Sequence, residues 1–231
     1  MAITLRTARD LLLDLLFPPR CGICGALGAF LCSACRLSLH EASPPRCPRC
    51  WRSGGKILCP DCRQSPSPLE GIRSVYCFEG GAQTLVYQLK YQRLHALAQP
   101  MGELLAVWLA GQPLPVDLLV PVPLHRRRQR MRGFNQSERL GRVIAERSGI
   151  ELDSRTLRRR RNTPQQTRLA DKLQREINVR GAFACQRRLE GRRVLLVDDV
   201  CTTGATLREC ATSLHEAGAL SVWALTFARA D

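Results

Sequence analysis

VLLVDDVCTTGATL, Val194 to Leu207, decides how this chain is read. Val194, Leu195, Leu196 and Val197 form a short apolar run of the kind that a parallel strand buries on both faces. Asp198 and Asp199 follow at its carboxyl end, where open α/β sheets bind their ligands. Thr202, Thr203, Gly204, Ala205 and Thr206 are small residues leading into a helix. Free backbone N–H groups at a helix start, together with hydroxyls, hold a phosphate, and the helix dipole adds to the attraction. The plainer reading is an ordinary strand, turn and helix with an acidic strand end. Adjacent carboxylates there are costly unless a cation or hydroxyls meet them. A carboxylate pair beside a phosphate cradle suits a sugar phosphate, with the acids on the ribose hydroxyls. Cys201 is expected to be a small residue that fits the loop.

The ordered succession of apolar strand, paired acids and T-T-G-x-T resembles the phosphoribosyl-pyrophosphate (PRPP) signature of type I phosphoribosyltransferases. Around it the chain alternates strands and helices. Ile72–Phe78 reads as a strand, and Gln83–Tyr91 and Leu94–Leu109 as helices. Asp117–Val122 is a second buried strand, and Asn135–Ser148 a helix capped by Asn135. Leu169–Val179 reads as a shorter helix. The helix after the signature runs to Ala217 with Gly218 as its stop, and Leu220–Phe227 is the last strand. Such alternation predicts an α/β fold, a parallel sheet with helices on both faces.

The segment after the second strand, PVPLHRRRQRMRGFNQS from Pro121 to Ser137, is predicted to be a loop facing the same crevice as Asp198 and Asp199. Arg126, Arg127, Arg128, Arg130 and Arg132 crowd it. A charge run is usually a solvated face, but one or two arginines beside a phosphate crevice can neutralise a pyrophosphate.

Near the N-terminus lie four C-x-x-C pairs: Cys21/Cys24, Cys32/Cys35, Cys47/Cys50 and Cys59/Cys62. Each pair aims two thiolates at one metal, and two pairs complete a tetrahedral zinc site. Two structural Zn²⁺ ions are therefore expected, and metal binding would supply folding energy that this apolar-poor segment lacks. Disulfides would need an oxidising compartment, to which nothing in the sequence points, so a cytoplasmic location is expected. Successive pairing gives two small ribbons in tandem; interleaved pairing stays open. Cys77, Cys185, Cys201 and Cys210 are isolated and read as buried small residues. The ribbons are basic, with Arg20, Arg36, Arg46, Arg49, Arg52 and Arg63, and Trp51 is a candidate for stacking on a base. Ser65-Pro66-Ser67-Pro68 reads as a linker, dividing residues 1–68 (helix and double zinc ribbon) from residues 69–231 (the α/β domain).

The net charge of +15 suggests a polyanionic partner or an anionic substrate. Arginine supplies nearly all of the positive charge, the lysines being Lys56, Lys90 and Lys172. No apolar run is long enough to span a membrane. Ile3–Phe17 is interrupted by Asp10 and Asp14 and reads as an amphipathic helix rather than a signal peptide.

PVPLHRRRQRMRGFNQSERLG resembles the signature of the ComF/GntX family, amidophosphoribosyltransferase-like proteins linked in many bacteria to DNA uptake or use. QLKY (Gln88–Tyr91), RNTPQQTRL and INVRGAF, within Arg161–Phe183, and the cysteine-rich start resemble further family segments. The resemblance implies a type I phosphoribosyltransferase-like domain behind a double zinc ribbon. It implies that Pro121, Val122, Pro123 and Leu124 form the pyrophosphate loop. Asp198 and Asp199 would be the catalytic acids on the ribose hydroxyls, directly or through Mg²⁺ brought with PRPP. Thr202, Thr203, Gly204, Ala205 and Thr206 would form the 5′-phosphate loop. Thr163, Gln166 and Arg168 fall in what resembles a hood over the site, and Lys90 matches a family position suited to a phosphate contact. Without a glutamine-amidase domain, full amidotransferase activity is not expected.

Two functions follow as expectations. One is transfer of ribose 5-phosphate from PRPP to an unknown acceptor. The other is a non-catalytic adaptor that binds single-stranded DNA and works with competence or DNA-processing proteins. A zinc-ribbon scaffold for another protein ranks last, because it leaves the DDVCTTGAT segment unexplained.

Overall fold

The computed structural model describes residues 18–92, 94–162 and 177–231. The expected helix over Ile3–Phe17, most of the one over Leu169–Val179, and Thr163, Gln166 and Arg168 lie outside them. In chain order the strands are β1 (Gly71–Cys77), β2 (Leu118–Pro121), β3 (Glu151–Leu152), β4 (Leu157–Arg159), β5 (Phe183–Cys185), β6 (Arg193–Cys201) and β7 (Ser221–Arg229). The helices are α1 (Ser33–Leu37), α2 (Pro60–Gln64), α3 (Gly80–Tyr91), α4 (Ala98–Gly111), α5 (Arg126–Arg132), α6 (Gln136–Ser148) and α7 (Ala205–Glu216).

Five strands form a parallel sheet in the order β1-β7-β6-β2-β3. The signature strand β6 sits at its centre. Side chains alternate across a strand, and the apolar run divides accordingly. Leu195 and Val197 join Leu85, Leu89, Met101, Leu105, Leu140 and Ile144 of α3, α4 and α6 on one face. Val194 and Leu196 join Leu207, Cys210 and Leu214 of α7 on the other. Each fully buried Leu or Val side chain contributes about 1.5–3 kcal/mol, so a run apolar on both sides belongs at the centre. The parallel sheet covered on both faces is as expected. No helix among the described residues is long and apolar enough to cross a membrane.

Five differences from the sequence reading concern short pieces. Residues 126–132, expected as loop, form α5, with His125 accepting from Arg127 N at its start and Gly133 at φ 86° closing it. The sheet has an extra edge strand, β3, and β4 and β5 make a separate antiparallel pair. The signature strand also runs past the acids to Cys201, and α3 begins at Gly80, three residues before the expected start.

The cysteine-rich segment packs on the outer edge of β1. Ala42 N donates to Val75 O, Cys77 N to His40 O and Ile72 N to Arg49 O, each at 2.8 Å. An open sheet edge offers unpaired backbone groups, and this packing covers them. Trp51 is the plug of the joint. It is 7% exposed, and its Nε1–H donates to both Ala42 O and Ser74 O at 3.0 Å. The Arg73 guanidinium lies 4.5 Å from its ring centroid. Trp51 is thus an anchor between ribbon and sheet, and the expectation that it stacks on a base is corrected: both its N–H and its ring are already engaged.

Candidate functional site

A cleft of about 290 Å³ opens at the carboxyl end of β2 and β6. The central strand delivers Asp198 and Asp199 to its floor. Asp199 is 2% exposed, and the Lys90 ammonium at the end of α3 lies 2.9 Å from its Oδ1. Its Oδ2 is buried without a hydrogen-bond partner among the described residues. The Asp198 Oδ1 accepts from Ser137 Oγ at 2.7 Å and from Asp199 N at 2.9 Å. Burial, and then the neighbouring Asp199 charge, push the Asp198 carboxyl up to about 7, against the opposing pull of Lys90 and Ser137.

The turn to α7 forms one wall. Gly204 stands at its start with φ 76°, a left-handed conformation that glycine adopts freely. A Cβ there would also stand 3.1 Å from the Ile72 Cδ1. Thr202, Gly204, Ala205 and Thr206 line the cleft. Thr203 does not. Its Oγ1 accepts from Ala205 N at 3.3 Å, and it faces a second cavity of about 400 Å³ shared with Arg208 and the ribbon residues Arg49 and Arg52.

The opposite wall is the segment after β2. Val122, Pro123 and Leu124 line the cleft, and Pro121 is the last residue of the strand. Asn135 fixes this segment from below. Its Nδ2 donates to Val122 O at 3.1 Å, while its Oδ1 accepts from Ser137 N at 3.1 Å and caps α6 as expected. Of the crowded arginines, Arg128 and Arg132 reach the cleft. Arg159 of β4 joins them, a residue that the sequence reading assigned no role. Burial, and then the facing arginine (Arg132 for Arg128, Arg128 for Arg159), hold the Arg128 and Arg159 guanidinium groups below their ordinary values. Like charges gathered at a concave surface are relieved by an anion. Phe78 and Tyr91 add an aromatic side to the cleft.

The eight paired cysteines gather into two groups, Cys21/Cys24/Cys32/Cys35 and Cys47/Cys50/Cys59/Cys62, with sulfur atoms within 4.8 Å of one another in each. A tetrahedron with zinc–sulfur bonds of about 2.3 Å has edges of about 3.8 Å. The Cys24–Cys32 and Cys50–Cys59 sulfur distances are 3.8 and 3.7 Å. The residues fit two structural zinc ions, and the grouping is the successive one. Burial opposes ionisation of Cys21 and Cys47, but backbone N–H groups of the knuckles outweigh it and bring each thiol down to about 6. Such thiolates are ready ligands. Of the isolated cysteines, Cys201 and Cys210 are buried as expected, whereas Cys77 and Cys185 are only partly so.

The carboxylate pair is a poor direct site for Mg²⁺, because an ammonium already stands on it. That ion demands near-octahedral oxygens at about 2.0–2.1 Å. Here one Asp199 oxygen meets an ammonium and one Asp198 oxygen already accepts two hydrogen bonds.

Residues 12–63 match the double zinc ribbon domain and residues 140–230 the phosphoribosyl transferase domain. The DNA utilization protein YhgH of Salmonella typhi is 37% identical over 205 residues, covering 84% of this chain and 89% of that protein. Competence protein F of Haemophilus influenzae is 28% identical over 221 residues, covering 85% and 96%. Among solved structures, the glutamine PRPP amidotransferase from B. subtilis, complexed with ADP and GMP, is 27% identical at a TM-score of 0.40. That match covers 57% of this chain, which spans about a quarter (26%) of the amidotransferase chain.

Proposed function

This chain belongs to the ComF/GntX family of double-zinc-ribbon, phosphoribosyltransferase-like proteins, and from that premise we propose that its cleft binds PRPP and transfers the ribose 5-phosphate to an acceptor. The observation that carries the proposal is the cleft itself. A carboxylate pair, a small-residue helix start and a group of arginines face one another across about 290 Å³. Three kinds of group on PRPP (ribose hydroxyls, 5′-phosphate, diphosphate) correspond to these three kinds of lining.

In this reading Asp198 and Asp199 take the ribose hydroxyls. The backbone N–H groups of Thr202–Thr206 and the hydroxyls of Thr202 and Thr206 hold the 5′-phosphate. The backbone of Val122, Pro123 and Leu124 and the guanidinium groups of Arg128, Arg132 and Arg159 hold the diphosphate. The acceptor forms a bond to C1 as the C1–oxygen bond to pyrophosphate breaks, and the pyrophosphate leaves with the electron pair. The protein's contribution is positioning, together with cations that stabilise the departing charge. Mg²⁺ belongs to the diphosphate of PRPP in solution. Asn135 and Ser137 act as positioning residues. A part in DNA uptake or use is proposed with the activity, on the names of the relatives.

Phosphorus NMR of PRPP titrated with the zinc-loaded protein tests the reading. Broadening or shifts of both the 5′-phosphate and the diphosphate signals, and pyrophosphate appearing once an acceptor is supplied, are expected. Signals unchanged at protein excess would refute it.

A second reading, an adaptor for single-stranded DNA, draws support from α5, whose Arg126, Arg127 and Arg130 lie on the rim outside the cleft. Phosphate contacts made there would weaken steeply with salt. DNA binding that survives Asp198→Ala/Asp199→Ala, with function in the cell intact, would favour it.

A further inference from the structure

Of the two lysines among the described residues, Lys56 and Lys90, only Lys90 lines the cleft, and it meets a carboxylate rather than open solvent. Resting on the PRPP reading, we propose that Lys90 is the built-in cation of the sugar site: its ammonium does for the carboxylate pair what a divalent ion would otherwise do, so PRPP is bound without a metal on Asp198 or Asp199.

Three observations carry this. The first is placement. Along β6, Asp199 continues the register of Leu195 and Val197, which face α3, and Lys90 stands in the last turn of α3 behind the buried Leu85 and Leu89. Helix packing therefore brings the ammonium to 2.9 Å from the Asp199 Oδ1, with the Lys90 side chain 21% exposed and the Asp199 side chain 3%. The second is competition. Lys90 occupies one Asp199 oxygen, and Ser137 Oγ and a backbone N–H share one Asp198 oxygen, so a divalent ion at the pair would meet an ammonium already in place. The third is the Asp199 Oδ2, buried with no hydrogen-bond partner among the described residues. A buried carboxylate oxygen wants a donor, and a ribose hydroxyl in the cleft supplies one.

An ammonium differs from Mg²⁺ in a useful way. It is a single charge with three donors on a flexible stem. One donor suffices for Asp199, leaving others to turn toward a hydroxyl or phosphate oxygen. Lys90 therefore touches ligand as well as positioning the acid, and the expected phosphate contact becomes secondary to the carboxylate one.

The test is calorimetric titration of the full-length, zinc-loaded protein with PRPP, with and without Mg²⁺, in buffer freed of divalent ions by resin so that the ribbons keep their zinc. Wild type, Lys90→Gln and Lys90→Arg are compared. Wild-type affinity is expected to change by less than about threefold when Mg²⁺ is omitted, whereas Lys90→Gln is expected to lose roughly tenfold to a hundredfold, the range of a charge-assisted hydrogen bond. Mg²⁺ should restore part of that loss in Lys90→Gln, and Lys90→Arg should stay within a few-fold of wild type. A wild type that binds PRPP only with Mg²⁺ would overturn the proposal while leaving the PRPP site standing. So would a Lys90→Gln protein that matches wild type under both conditions. Absence of binding by wild type even with Mg²⁺ would instead remove the PRPP reading, and the proposal with it.

Discussion

Replacing Trp51 separates a structural ribbon from a nucleic-acid platform. The ring is 7% exposed, and its N–H is shared by Ala42 O and Ser74 O at 3.0 Å. Truncating a packed Trp to Ala costs about 3–5 kcal/mol. The backbone φ of 62° is as unfavourable for Ala as for Trp, so no strain is recovered. The Arg73 stack at 4.5 Å is lost as well, worth about 0.5–1 kcal/mol at a partly exposed site. Trp51→Ala is therefore expected to lose about 4 kcal/mol in urea denaturation of the zinc-loaded protein. Trp51→Phe keeps most of the apolar area but gives up the N–H, for about 1–2 kcal/mol. A loss below about 1 kcal/mol for Trp51→Ala would refute the anchoring role, because a buried ring cannot be removed so cheaply. Weaker binding of single-stranded DNA at unchanged stability would restore the base-stacking role instead.

Three further results are expected. Cys24→Ser and Cys59→Ser should each reduce the zinc content from two ions per chain to one, measured by atomic emission, because the two groups share no ligand; loss of both ions from either variant would contradict independent sites. PRPP affinity should rise with pH through about 7, since the Asp198 carboxyl is pushed up to about 7 and its charged form is the better acceptor for a ribose hydroxyl. Asp198→Asn should flatten that profile. The same shift has an opposite sign for the free protein. A carboxyl raised from its ordinary value of about 4 takes up a proton on folding between about pH 4 and 7, so this group makes stability fall as pH rises across that window. A melting temperature whose slope over that window is the same in wild type and Asp198→Asn would contradict it.

The central strand was legible in the sequence because its signal is local: four apolar residues, two acids and a glycine that the turn requires. The caps Asn135 and Gly218 were legible for the same reason, as was the pairing of thiols by short spacers. What escaped depends on contacts distant in sequence. The partners of Trp51 are the carbonyls of Ala42 and Ser74, backbone atoms that no side-chain pattern announces. Arg159 sits in a run of arginines that looks like a solvated face. Only the alternation of buried Leu157 with Arg158, against Phe183 across the pair, marks it as strand. Residues 126–132 read as loop because charge overshadowed the helix signal, although Gly133 placed after seven helix-tolerant residues was a usable stop. Lys90 was picked out by its family position, but its carboxylate partner needed the sheet register and the packing of α3.

The most direct test of the PRPP cleft is calorimetric titration of the zinc-loaded wild type and of Asp198→Asn/Asp199→Asn with PRPP. Saturable one-to-one binding by wild type, weakened at least about a hundredfold in the double variant by loss of two charge-assisted acceptors, is the expected result. A folded wild type that does not bind PRPP, or a double variant that binds it as well as wild type does, would contradict the assignment.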